Sequence, residues 1–123
     1  MTNTEALQFA QEWIESFNRR DAAQVLSHFA ENATFKSPKA AAFCGKTVFN
    51  SRDELAAYWT GALQAVNTLH FTLDHVLNDA DARSLAIVYK AEINGARERA
   101  AEVYRFDAHS KVISGEALYG APL

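Results

Sequence analysis

The chain has 123 residues, 49% of them hydrophobic, and its fifteen acidic against twelve basic side chains give a formal net charge of −3. That length and composition suit one core and a single domain spanning residues 1–123. They exclude a nucleic-acid footprint, because no basic run is longer than Arg19-Arg20, and a membrane span, because no apolar run approaches about eighteen residues.

No charged-then-apolar leader opens the sequence, and the one cysteine, Cys44, has no partner for an internal disulfide. A soluble, cytoplasmic protein is expected. Ala6, Phe9, Ala10, Trp13, Ile14 and Phe17 recur at three- and four-residue spacings, which predicts an amphipathic helix over 4–18 with Thr2 and Glu5 as its capping box. Asp21 then reads as the N-cap of a shorter helix carrying Ala22, Val25, Leu26 and Phe29. Ala33 to Ser37 alternates as a short strand, stopped by Pro38. Residues 39 to 50 read as a small-residue loop with a brief extended piece at 46 to 49. Ser51-Arg52-Asp53-Glu54 is the capping box of a third helix that buries Leu55, Trp59, Ala62, Leu63 and Val66, with Gly61 an unfavourable residue inside it.

From Leu69 the period changes to two. Strands are predicted at 69–77, 84–93, 97–107 and 111–119, separated by turn-forming segments of which Asn94-Gly95 is the strongest hairpin signal. In the strand at 84–93 even the second face is partly apolar, so both faces need a cover. Helices can supply one, and a second copy of the chain is the economical supply for the other, giving a homodimer through the sheet face.

The strand at 97–107 places Ala100, Glu102, Tyr104 and Phe106 on one face, setting a carboxylate beside two aromatics. Burying that charge costs several kcal/mol unless it is paired or protonated. Either Glu102 lines a cavity, as a neutral donor or as a base with a raised pKa, or it pairs with Arg97, Arg99 or Lys90 on the sheet, or the strand register is slipped by one. The four histidines show no metal-ligand spacing, and the five-residue separation of His70 and His75 predicts opposite faces of a strand. Tyr58, Tyr89 and Tyr119 are further hydroxyl donors with no predicted place.

Two helices, a strand, a helix and four strands, together with Trp13-Ile-Glu-Ser-Phe-Asn-Arg-Arg-Asp21, Phe29-Ala-Glu-Asn-Ala-Thr-Phe35 and Val103-Tyr-Arg-Phe-Asp-Ala-His-Ser-Lys-Val-Ile-Ser-Gly-Glu-Ala-Leu-Tyr-Gly120, resemble the nuclear transport factor 2-like superfamily. SnoaL-type cyclases, ketosteroid isomerase and limonene epoxide hydrolase share that fold. The resemblance implies an α+β, cone-shaped, cystatin-like architecture, three N-terminal helices packed on a curved, mostly antiparallel sheet around an apolar ligand pocket.

By that resemblance Glu102 falls where ketosteroid isomerase keeps the protonated aspartic acid of its oxyanion hole. Trp13 and Trp59 take the places of two of its tyrosines, and Phe35, Ser37, Tyr104 and Phe106 join the ligand-binding set. Ser37 stands at the position of the isomerase's general base and cannot shuttle a proton by itself. The resemblance implies a cofactor-independent isomerase-, cyclase- or hydrolase-type enzyme, without metal, acting on a small apolar carbonyl or polycyclic compound with Glu102 as catalytic or anchoring group. The alternative is a non-catalytic binding or dimeric interaction domain.

Overall fold

The computed structural model describes residues 1–123. Helix α1 (Asn3–Asn18) opens on the expected capping box, Thr2 and Glu5 each bonding the other's backbone N–H. All six residues of its predicted apolar stripe are buried. Asp21 caps the five-residue α2 (Ala22–Leu26) by accepting from the Gln24 amide. The second helix is shorter than expected: Phe29 lies outside it and starts strand β1 (Phe29–Lys36). Its parallel neighbour is β6 (Val112–Pro122), with Phe29 opposite Val112, and this distant partner is invisible to local periodicity.

The expected loop after Pro38 contains a fourth helix, α3 (Ala40–Cys44), closed by Gly45 in the left-handed region at φ 79°. A two-residue strand, β2 (Val48–Phe49), pairs with the end of β1. Ser51 caps α4 (Arg52–Ala65) through the Glu54 amide at 3.1 Å. The Glu54 carboxylate turns instead to the Asn50 amide at 3.0 Å and Lys46 Nζ at 2.7 Å, so only half of the predicted box forms.

Strands β3 (Leu69–Asp79), β4 (Ser84–Ile93) and β5 (Ala96–Phe106) complete one six-stranded sheet in the order β2-β1-β6-β5-β4-β3, antiparallel except between β1 and β6. Asn94 and Gly95 both adopt positive φ, as a two-residue hairpin requires, and set Ile87 opposite Glu102 and Tyr89 opposite Ala100. A bulge at Asp74 changes the parity of β3, so that His70 faces Glu92 and His75 faces Val88. The two histidines therefore share the outer face, correcting the expectation of opposite faces. Between the sheet's inner face and the helices lies the core, with α1 packed on β3 and α4 on β1.

Candidate functional site

One end of this core is left open. A cavity of about 280 Å³ is walled by the last turn of α1, the exit of β1, α3, α4 and the inner faces of β3 to β6, and 14 of its 17 lining residues are hydrophobic. Phe17, Phe35 and Phe71 give it an aromatic wall, with Trp59 edge-on to Phe17 and Phe35 at 5.2 Å between centroids in each case. Into this wall β5 turns Glu102, which is 6% exposed. Its Oε2 is buried without a hydrogen-bond partner.

Burial pushes the Glu102 carboxyl up from 4.5 to about 8, since no cation offsets the loss of hydration. The ion pairs that could have explained it are made elsewhere. Arg99 meets Asp74 at 3.3 Å, and Lys39 meets Glu98. Arg97 and Arg99 alternate to the opposite face of β5 from Glu102.

Around the acid stand Tyr58 of α4, Tyr89 of β4 and Tyr119 of β6, all on the cavity wall. Burial holds each phenol above its ordinary range, and the nearby Glu102 charge adds to the rise. The Ser37 hydroxyl lies against the Tyr58 and Tyr119 phenols and opposes the rise at both. Ser37 is itself fixed where β1 leaves the sheet, its amide donating to the Thr47 carbonyl at 2.9 Å. Its neighbours are weak acids held neutral, so nothing beside it acts as a base. The constellation is a proton-bearing carboxyl, three phenols and one hydroxyl in an apolar chamber. No group of three or more His, Cys, Asp or Glu side chains is gathered as for a metal ion.

Residues 10–114 match the SnoaL-like domain family. The chain belongs to that family. A SnoaL-like protein of unknown function from Burkholderia thailandensis is 30% identical over 98% of this chain and 99% of its own, with a TM-score of 0.85. A nuclear transport factor 2-like protein of unknown function from Burkholderia pseudomallei shares the fold at 20% identity and a TM-score of 0.79, covering 98% and 92% of the two chains. SalBIII, an epoxide hydrolase/cyclase-like enzyme of pyran ring formation in the polyether salinomycin, shares it at 22% identity and a TM-score of 0.72, covering 95% and 92%. Among proteins of curated function none matches this sequence. No helix is long and apolar enough to cross a membrane.

Within this SnoaL-like domain the sequence-predicted residues fall into two groups. Phe35, Ser37, Trp59 and Glu102 meet on the cavity wall. Trp13, Tyr104 and Phe106, expected in the ligand-binding set, are not among the residues that line it. The Trp13 indole donates to the Tyr104 hydroxyl at 2.9 Å, deep in the core, so its one N–H is already taken. Phe106 packs edge-on to Phe9 at 5.3 Å. The tyrosines with no predicted place are the lining ones. Tyr89 was within reach of the sequence, because a two-residue turn at Asn94-Gly95 dictates the register that puts it diagonal to Glu102.

Proposed function

We propose that this SnoaL-like domain binds a small apolar molecule carrying a carbonyl or ether oxygen, with Glu102 as its polar anchor, and acts on it as a cofactor-independent isomerase-, cyclase- or hydrolase-type enzyme. The observation that carries this reading is the orphaned Oε2 of Glu102 in an apolar cavity. A buried polar atom without a partner is costly, and a ligand oxygen would supply the partner. With a pKa of about 8, Glu102 holds its proton at neutral pH and donates it towards that oxygen, yet is close enough to its midpoint to lose and regain it. The phenols of Tyr58, Tyr89 and Tyr119 stay protonated and act as hydrogen-bond donors only.

The volume narrows the candidates. At about 280 Å³ the cavity lies just below the usual range for drug-sized ligands, which suits one or two rings or a short chain of roughly ten to fifteen heavy atoms rather than four fused rings. Support for ring-opening or ring-closing chemistry comes from SalBIII, a fold relative described as epoxide hydrolase/cyclase-like.

Thermal-shift screening with small ketones, lactones and epoxides, followed by product analysis on the binders, tests the proposal. Glu102→Gln should lower turnover by about a hundredfold or more with folding intact. A fully active Glu102→Gln enzyme removes Glu102 from the chemistry, and a binder that is never converted leaves a receptor.

A second reading concerns the other side of the sheet. His75, Val88, Ala101 and Leu118 form one outer row and Leu77, Ala86 and Val103 the next, which ends on Glu116. Leu77 and Leu118 are large and exposed there. We infer that a second copy of the chain covers this patch, making a homodimer whose two cavities stay independent.

A further inference from the structure

The cavity has a second polar end. Lys39, the N-cap residue of α3, stands on its wall. The ammonium pairs with Glu98 and lies 4.2 Å from the centroid of the Tyr119 ring, itself a wall residue. Its side chain is 47% exposed, and partial burial lowers its pKa. Lys39 is thus a half-solvated cation held at the rim rather than a free surface lysine.

Glu98 and Glu102 both lie on the inward-facing set of β5 with Ala100 between them, opposite Ala91, Tyr89 and Ile87 of β4. Four residues of strand separate their levels by roughly 13 Å. The ammonium lies towards the Glu98 end, over the Tyr119 ring that stands opposite Ala100, and the wall shared with the carboxylic acid is mainly aromatic, with Phe71 and Tyr89 at 4.8 Å between centroids.

The geometry points to a substrate with two polar ends: an oxygen acceptor that meets Glu102 and a carboxylate that meets Lys39, joined by an apolar chain or ring. The class is a small oxo-carboxylic acid or its cyclic ether equivalent. This rests on the reading of Glu102 as the anchor of the cavity. A lysine ammonium has three donors, so engaging Glu98 leaves capacity for a ligand carboxylate. The acid at the deep end is neutral at pH 7 and does not repel an anion entering at the mouth. A purely structural tie between α3 and β5 would need neither the position on the cavity wall nor access from solvent.

Three matched probes separate the two ends: 7-oxooctanoate, octanoate without the ketone, and methyl hexyl ketone without the carboxylate. Titration calorimetry on the wild-type protein should give a Kd for the keto acid about five- to tenfold lower than that of methyl hexyl ketone, shrinking as salt is added. Lys39→Gln should erase that gap and leave the Kd of methyl hexyl ketone unchanged. Lys39→Arg should keep the gap, and Glu98→Gln, which frees the ammonium, should widen it. Equal affinity for keto acid and ketone, or a gap that survives Lys39→Gln, overturns the role of Lys39. Failure of a different kind, in which the keto acid gains nothing over octanoate or both ketone-bearing probes ignore Glu102→Leu, which removes the donor, defeats the anchor reading instead.

Discussion

Glu102 binds its proton more tightly in the folded chain than in the unfolded one, with a pKa of about 8 against 4.5, and this ties stability to pH. Between those values the folded state holds more protons, so the stabilisation present below about pH 4.5 is lost progressively as pH rises through 8. Ionising so buried a group costs on the order of several kcal/mol. Glu102→Gln should therefore unfold at higher urea than wild type at about pH 8, with little difference near pH 5. His28, whose pKa is lowered by burial, contributes in the opposite direction but equally in both proteins, so the difference between them isolates Glu102. Parallel pH profiles for the two proteins would mean that the carboxyl is hydrated in solution. A period of two was enough to place Glu102 on the buried face of its strand, because strand parity is local. The fate of Trp13 was not legible, since its indole is satisfied by Tyr104, 91 positions along the chain.

Two of the pocket's supporting elements depend on single residues of modest appearance. Gly115 of β6 lies opposite both Phe35 of β1 and Tyr104 of β5, and a Cβ there would stand 2.6 Å from the Tyr104 ring and 2.8 Å from the Phe35 ring. Gly115→Ala should cost about 1–3 kcal/mol through overpacking, and pairing it with Phe35→Leu should recover part of the loss in urea unfolding. An undiminished unfolding midpoint for Gly115→Ala would show that the rings move aside freely. Arg20, at the left-handed φ of 59°, donates to the carbonyls of Leu63, Val66 and Asn67 at 2.9, 2.7 and 2.9 Å and so closes the C-terminal end of α4. Arg20→Ala should cost about 1–2 kcal/mol and speed amide exchange around residues 63–68 while the strands stay protected. Uniform exchange across the chain would contradict so local a role. In the sequence Asn18-Arg19-Arg20 reads only as the end of a helix. That Asn18 also bonds both the N–H and the carbonyl of Phe71 is a tertiary fact without local signature. The same limit hid the early start of β1, the short α3 and the bulge at Asp74, whereas the helix caps and the Asn94-Gly95 turn were legible because their chemistry lies within a few residues.

At the scale of the whole molecule, one face of the sheet makes the cavity and the other carries the exposed apolar rows. Light scattering of the purified protein should report a dimer, and Leu118→Glu, which plants a charge in the row formed with Ala101, Val88 and His75, should give a folded monomer. A monomeric wild type would remove the sheet-face partner while leaving the cavity argument untouched. The order of elements, the helix count apart, followed from periodicity and turns, and the family resemblance extended it to a cone with an open end. What no local pattern supplied was the parallel pairing of β1 with β6 inside the open sheet. That pairing also sets a clock. β1 is synthesised before any of the four long antiparallel strands yet pairs with the last of them, and until then its only partner is the two residues of β2. Until β6 is made, the edge of β1 that will meet it is unpaired, Phe29 included, although Phe35 already has Phe49 of β2 opposite it, so the nascent chain should be most prone to aggregation and chaperone capture before the strand that brings Gly115 and Tyr119.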